Sequence, residues 1–567
     1  MIINLIKKYG IWVIIATFGI LSVLGLFYDY SLSTAGDEKV VMTAVLRMMN
    51  DYSLRPNYPT FYHLPLAVYF YLPFFAIALV ILFVFKFQDI SALKSFIILD
   101  HYKLLPVARF VTLLFSLATI YLVYKISEKI FKNRWISLFS AYFTASSTMF
   151  IYMSHFARVW MPQIAVIVFG LYILILFYEK LKPNVKDYIV VALVVSLSLG
   201  VHLIGSLIYV PFIVIHGFKN KGRGFLKTYI FNRFFWMTNA IMVVCMLLIF
   251  YLNPYGFLNY GRVIIPALLS STPAGETIYG SDVLKKMELS DPFSRKITYY
   301  AETLVAYDAA LTLIALASLA VLFMRRRDIF YILSSFIVAY YVLISFFGST
   351  PRYISPLIPF LALVAGYGVY CALGRVGKKT QVALIAAIVV LTLLPSLALT
   401  RLFSMPSTRA LATEWIYKNI PQGVALVDTD SYLELNGNKQ TMEDSKEFTT
   451  FFTVKQAYLL SLAEKEYPAP NYYVYLAPHF QEIPSVLQKK RFNYLVISWW
   501  NRDDFAKKLD SVRSLMPHTI TLVKRFGGVG EESSAAIDLA NDTKWPFPYL
   551  FSMSRTGPIV DIYELVN

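Results

Sequence analysis

The chain has 567 residues, 57% of them hydrophobic and only 15% charged, a make-up that excludes an ordinary soluble protein and requires lipid as solvent. Its formal net charge of +17 lies largely in short loops between apolar runs, where membrane topology explains it and no nucleic-acid partner is implied. Both cysteines, Cys245 and Cys371, fall inside apolar runs and read as small core residues rather than as a disulfide framework.

The first apolar run, residues 10–28, is about as long as a bilayer of roughly 30 Å requires. It lacks a convincing small-residue cleavage site and is expected to remain as the first span. Asp37 and Glu38 follow in AGDEKVVM. The apolar spacing at Val40, Val41, Ala44, Val45, Met48 and Met49 predicts an amphipathic surface helix opened by this acidic pair. Two carboxylates there suit a helix amino terminus through the dipole, and suit equally a general base held at the bilayer surface. His63 then precedes an apolar stretch, Pro65 to Phe87, with Pro73 in its middle.

Apolar runs at 10–28, 64–85, 104–124, 135–153, 160–178, 187–203, 205–218, 234–252, 301–324, 329–347, 354–373 and 380–400 make twelve candidate spans. If 64–85 lies in the outer leaflet instead of crossing, the loops at 1–9, 125–134, 179–186, 219–233, 325–328 and 374–379 share one side and hold 20 Lys and Arg. The short connections on the other side then hold only Arg158 and Arg352. Were 64–85 to cross, 18 of those 20 would lie outside, against the positive-inside rule. The expected architecture is therefore an α-helical polytopic plasma-membrane protein of about eleven spans plus an outer juxtamembrane helix, with the amino terminus cytoplasmic and the carboxyl terminus extracytoplasmic.

In this orientation residues 1–400 form the membrane module, with outer loops 29–103 and 253–300, and residues 401–567 form an extracytoplasmic domain. Strand-like runs at 424–430, 471–476, 492–498 and 518–523 alternate there with a helix-like stretch at 408–420, which predicts a small mixed α/β fold. The turn SHFARVWMP puts His155 and Arg158 at the outer membrane surface, and STPRYISPLIPF puts Arg352 and Tyr353 at the outer end of another span. An arginine so placed suits forked hydrogen bonds to a phosphate, or snorkelling to lipid head groups. Ionisable groups otherwise keep to span ends, with His202 and His216 the main exceptions.

The order of these features resembles the C-type-fold membrane glycosyltransferases that use polyprenyl-phosphate sugars, especially the protein O-mannosyltransferases and the bacterial aminoarabinose transferase. The matching positions are Asp37-Glu38, His63-Leu64-Pro65-Leu66, Ser154-His155-Phe156-Ala157-Arg158 and Arg352-Tyr353 with Pro356 and Pro359. The segments 408–423 and 555–565 also resemble prokaryotic members with an outer carboxyl-terminal domain. Two departures stand out: Leu64 replaces the first proline of the His-Pro-Pro element, and Trp160 stands where many relatives carry an acid. Without that acid a metal site of several carboxylates is not assembled, and neither metal nor cofactor is expected.

The resemblance implies an inverting enzyme that moves one hexosyl or pentosyl unit from a polyprenyl-phosphate donor to a hydroxyl of a lipid, glycan or protein acceptor on the outer face. Asp37 would be the base and Glu38 its helper. Arg352 and Arg158 would contact the donor phosphate, with His63 and His155 in weaker support. The rivals are a transporter or flippase of lipid-linked saccharides, an oligosaccharyltransferase, and a scaffold whose outer domain binds a partner.

Overall fold

The computed structural model describes residues 2–30, 32, 36–56, 63–222, 224–258, 293–346, 350–429, 433–448, 454–477, 491–500, 506, 509–510, 519–527 and 549–566. Most of the expected outer loop 253–300 lies outside these, as does the side chain of Asp37. Two compact units emerge. One comprises residues 1–26, 37–77 and 107–400, and the other 27–36, 78–106 and 401–567.

Among its described residues the first unit holds helices and the turns between them, and no strand. In chain order it contains α1 (Ile2–Leu24), most of α2 (Gly36–Asn50), of α3 (Leu66–Leu82) and of α5 (Leu105–Phe131), then α6 (Arg134–Ala145), α7 (Thr148–Ser154) and α8 (Trp160–Glu179). It continues with α9 (Val185–Val201), α10 (Tyr209–Lys219), α11 (Arg233–Leu252), α12 (Phe293–Arg325), α13 (Arg327–Ile344), α14 (Ile358–Leu373) and most of α15 (Lys378–Phe403). The helix α4 (Ile90–Asp100) belongs to the second unit.

Among the described residues nine helices are long and apolar enough to cross a membrane, Leu66–Phe87 among them. The runs expected at 135–153, 187–203 and 205–218 are built from shorter helices. The first of these breaks at Ser146 and Ser147. Ser147 leaves the helical conformation and its side chain accepts a hydrogen bond from the Phe150 amide, starting α7 afresh, as an amino-terminal cap does.

That break is held from across the unit by Asp308. Its carboxylate accepts hydrogen bonds from Ser147 Oγ (2.8 Å) and from the Thr148 and Met149 amides (2.7 and 3.2 Å). Asp308 itself interrupts α12 with φ −139° and ψ 53°. The turn of helix lost there leaves the Leu304 carbonyl in need of a donor, and Thr312 Oγ1 supplies one at 3.1 Å. The expectation that ionisable groups keep to span ends is thus wrong for Asp308, and likewise for Arg109 of α5, both buried. A charge can stand inside an apolar run when its hydrogen bonds are met by protein rather than by water.

The helix α14 is buried on nearly every side, and two glycines explain how closely its neighbours approach. A Cβ on Gly366 would lie 2.8 Å from the Ser140 backbone nitrogen of α6, and one on Gly368 would lie 2.3 Å from Ser318 Cβ of α12. Neither position has room for a methyl group.

In the second unit, α16 (Thr408–Asn419), α17 (Lys439–Phe448) and α18 (Val454–Ser461) accompany a five-stranded sheet. The strands are β1 (Ala425–Thr429), β2 (Tyr473–Ala477), β3 (Tyr494–Trp499), β4 (Thr519–Phe526) and β5 (Ile559–Val566), in the order β2-β1-β3-β5-β4. β1 runs parallel to β2 and β3, while β5 runs antiparallel to β3 and β4. Alternate residues serve opposite faces. Leu426, Val474, Val496 and Ile562 pack with Ala412 and Ile416 of α16, and Val427, Leu495, Ile497 and Tyr563 form the other core. β5 was not expected as a strand. Its central Asp561 is fully buried and paired with Arg525 (2.6 and 2.9 Å) and Trp499 Nε1 (3.0 Å), which interrupts the apolar pattern a sequence reading follows.

Candidate functional site

The helix opened by the acidic pair forms as the spacing predicts, with Val41, Met42, Ala44, Val45 and Met48 buried. Asp37 lies in its first turn. Glu38, only 1% exposed, is held by three donors. Arg109 Nε and Nη2 reach its two carboxylate oxygens at 2.9 and 2.8 Å, and the Ala157 amide donates to Oε1 at 2.7 Å. A forked arginine pair is the geometry in which a buried carboxylate keeps its charge at tolerable cost. Arg109 also donates to the Leu26 carbonyl (3.3 Å) and lies 5.9 Å from the Phe156 ring. One carboxylate therefore ties α2 and α5 to the turn that follows α7.

That turn carries two of the expected residues, and both are buried within the protein. His155 is 1% and Arg158 2% exposed, so both are packed within protein rather than reaching toward head groups. His155 Nδ1 donates to the Ile151 carbonyl (2.7 Å), since a carbonyl can only accept. The Arg158 guanidinium lies 5.1 Å from the Phe156 ring, and the Arg158 carbonyl accepts from Tyr71 Oη of α3 (3.1 Å). Tyr71 is in turn hydrogen-bonded to Thr112 of α5 (3.2 Å).

Two residues beyond Arg158, Trp160 opens α8 and meets a second cluster. Its ring lies 4.8 Å from His202 and 5.1 Å from Tyr353, and the His202 ring lies 6.1 Å from His63. Arg352 directly precedes Tyr353 and is carried to this cluster with it. Arg352 is half-buried on the tight turn Pro351–Leu357. Ser355 Oγ donates to its carbonyl (2.7 Å) and the Tyr353 amide to that of Thr350 (3.1 Å). His63 is fixed through its carbonyl by Asn253 Nδ2 (2.9 Å).

The expected residues thus fall into two neighbouring groups, joined through Trp160. Glu38, His155 and Arg158 form one, and His63 and Arg352, with His202, the other. Arg109, Tyr71, Trp160 and His202 were not expected as site residues. The legible signal for Arg109 is a lone charge inside PVARFVTLLF, and for His202 an ionisable group near the end of an apolar run. Chemically, guanidinium and imidazole groups beside aromatic faces suit an anion carried on an apolar tail. Among the described residues no group of three or more His, Cys, Asp and Glu side chains comes together as a metal site.

No family model matches this chain, and no curated protein does. Among solved structures, the oligosaccharyltransferase AglB of Archaeoglobus fulgidus, in complex with an inhibitory peptide and a dolichol-phosphate, is similar at 13% identity and a TM-score of 0.45, over 87% of this chain and 70% of that one. ArnT of Cupriavidus metallidurans, bound to undecaprenyl phosphate, is similar at 12% identity and a TM-score of 0.45, over 98% of both chains.

Proposed function

We propose that this chain is a membrane glycosyltransferase that takes a single sugar from a polyprenyl-phosphate donor and passes it, with inversion, to an acceptor hydroxyl on the extracytoplasmic face. The observation that carries this is the hydrogen bond from the Ala157 amide to Glu38 (2.7 Å). It holds the helix start that bears Asp37 against the turn that bears Arg158. A polyprenyl-phosphate sugar already has an activated anomeric carbon, so the reaction needs a base for the acceptor proton and cations for the departing phosphate. Asp37 is the base in this reading. Arg352 and Arg158, aided by His63 and His155, hold the phosphate, and attack opposite the leaving group inverts the anomeric centre. Glu38 is a positioning residue, both of its oxygens being engaged.

Sugar transfer by purified, reconstituted protein, with donor binding measured separately, tests the assignment. Asp37→Asn is expected to lower turnover by about 100-fold or more while donor binding persists. Arg352→Ala is expected to weaken donor binding strongly, and Arg352→Lys to restore only part of it, because the planar fork is lost. Wild-type turnover in Asp37→Asn would remove the base assignment, whereas absence of sugar transfer by the wild-type protein would remove the enzyme reading itself.

One observation favours the transporter reading: a buried carboxylate at a broken helix, Asp308, is a feature of carriers. Its three hydrogen bonds to the start of α7 occupy it structurally instead.

A further inference from the structure

We propose that the ends of α1, α6 and α15 nearest Arg134 form a binding site for an anionic phospholipid of the bilayer, with an acyl chain in an apolar groove and the phosphate in a basic pocket beside it. The groove encloses about 590 Å³ and is walled by Gly10, Val13, Trp135, Leu138, Tyr142 and Ile385, among others. The polar tip of Tyr142 is turned away into protein, donating to the Val389 carbonyl (3.1 Å) and bonded to Thr392 (2.9 Å). At its floor Gly10 lets α1 approach α6 closely, since a Cβ there would stand 3.0 Å from Leu138 Cδ2 and a larger side chain would have to turn into the groove.

The adjoining pocket, about 520 Å³, has the opposite character. It is lined by Lys125, Lys129, Lys132 and Arg134 together with Glu128 and Glu179. The acids are answered locally, Glu128 by Lys125 at 2.7 Å and more distantly by Arg134 at 3.9 Å, and Glu179 by Lys129 at 3.5 Å. Four cations against two carboxylates leave an excess of two positive charges. Lys7 adds another from α1, its Nζ 5.9 Å from the Trp135 ring. The two cavities meet at consecutive residues, Arg134 in the basic one and Trp135 in the apolar one.

An apolar cleft continued by a cationic pocket fits an amphiphile whose head is negative. A zwitterionic lipid would fill the groove but gain little from the pocket. The site is distinct from the proposed donor site, because α6 starts at Arg134 whereas the turn with His155 and Arg158 follows the far end of α7. It does not depend on the proposed activity.

Native mass spectrometry of the delipidated full chain, offered equal dioleoyl phosphatidylglycerol and dioleoyl phosphatidylcholine, tests the site. Phosphatidylglycerol is expected to be retained in about tenfold preference. That preference is expected to vanish in Lys132→Gln/Arg134→Gln, and all lipid retention to fall in Gly10→Leu, which blocks the groove. Should Gly10→Leu fail to fold, Val13→Trp fills the same groove from its exposed wall. Equal retention of the two lipids, or an undiminished preference in the charge variant, overturns the proposal. So does displacement of phosphatidylglycerol by equimolar undecaprenyl phosphate, which would assign the groove to the donor lipid.

Discussion

Glu38 and Arg109 are the residues on which the site's geometry turns, and they can be tested as a pair. Arg109→Gln leaves a carboxylate buried without its counter-charge, which costs about 3–5 kcal/mol. A marked drop in the thermal unfolding midpoint in detergent is expected. The double variant Glu38→Gln/Arg109→Gln removes both charges and is expected to recover much of that loss. An Arg109→Gln protein that unfolds at the wild-type temperature would show the pair to be dispensable. The sequence made Glu38 conspicuous by its place beside Asp37, yet said nothing of its partner 71 residues away. Pairing at that separation is a property of the packed helices. What the sequence did carry was an arginine stranded in an apolar run, and a charge so placed has a partner in protein.

At the scale of elements, the sequence was most legible where a single periodicity runs unbroken. The helix after the acidic pair, the long apolar helices and four of the five strands lie where apolar spacing predicts them, because burial on one face imposes the pattern. It was least legible where a side chain from elsewhere ends an element. The run 135–153 reads as one span, but Asp308 completes a second helix start inside it. Asp308→Asn replaces one acceptor oxygen by a donor facing the amides of α7, and hydrogen bonds to a charged acceptor contribute about 1.5–3 kcal/mol each. A stability loss of about 2 kcal/mol is expected by thermal unfolding, with Asp308→Ala losing more. Unchanged stability in both would mean that α7 starts without help from α12.

At the scale of the whole molecule, the concentration of Lys and Arg on one set of loops predicts a single orientation. In a background with Cys245 and Cys371 replaced, Arg327→Cys is expected to react with a membrane-impermeant thiol reagent only after lysis, and Lys418→Cys in intact cells. Both positions are exposed. Equal labelling of the two would reject the orientation and with it an outer site. The closeness of α14 to its neighbours has a different consequence. Gly366 lies fourteen residues along the chain from Arg352, about 20 Å away at the helical rise, yet its helix is continuous with the turn that bears that arginine. A methyl group added at Gly366 has nowhere to go but into the helix's position, so a change there would act as a lever on the anion contact proposed for Arg352. In a catalogue of variants, a harmful substitution at this glycine would therefore point to the same defect as one at Arg352, although the two share no chemistry.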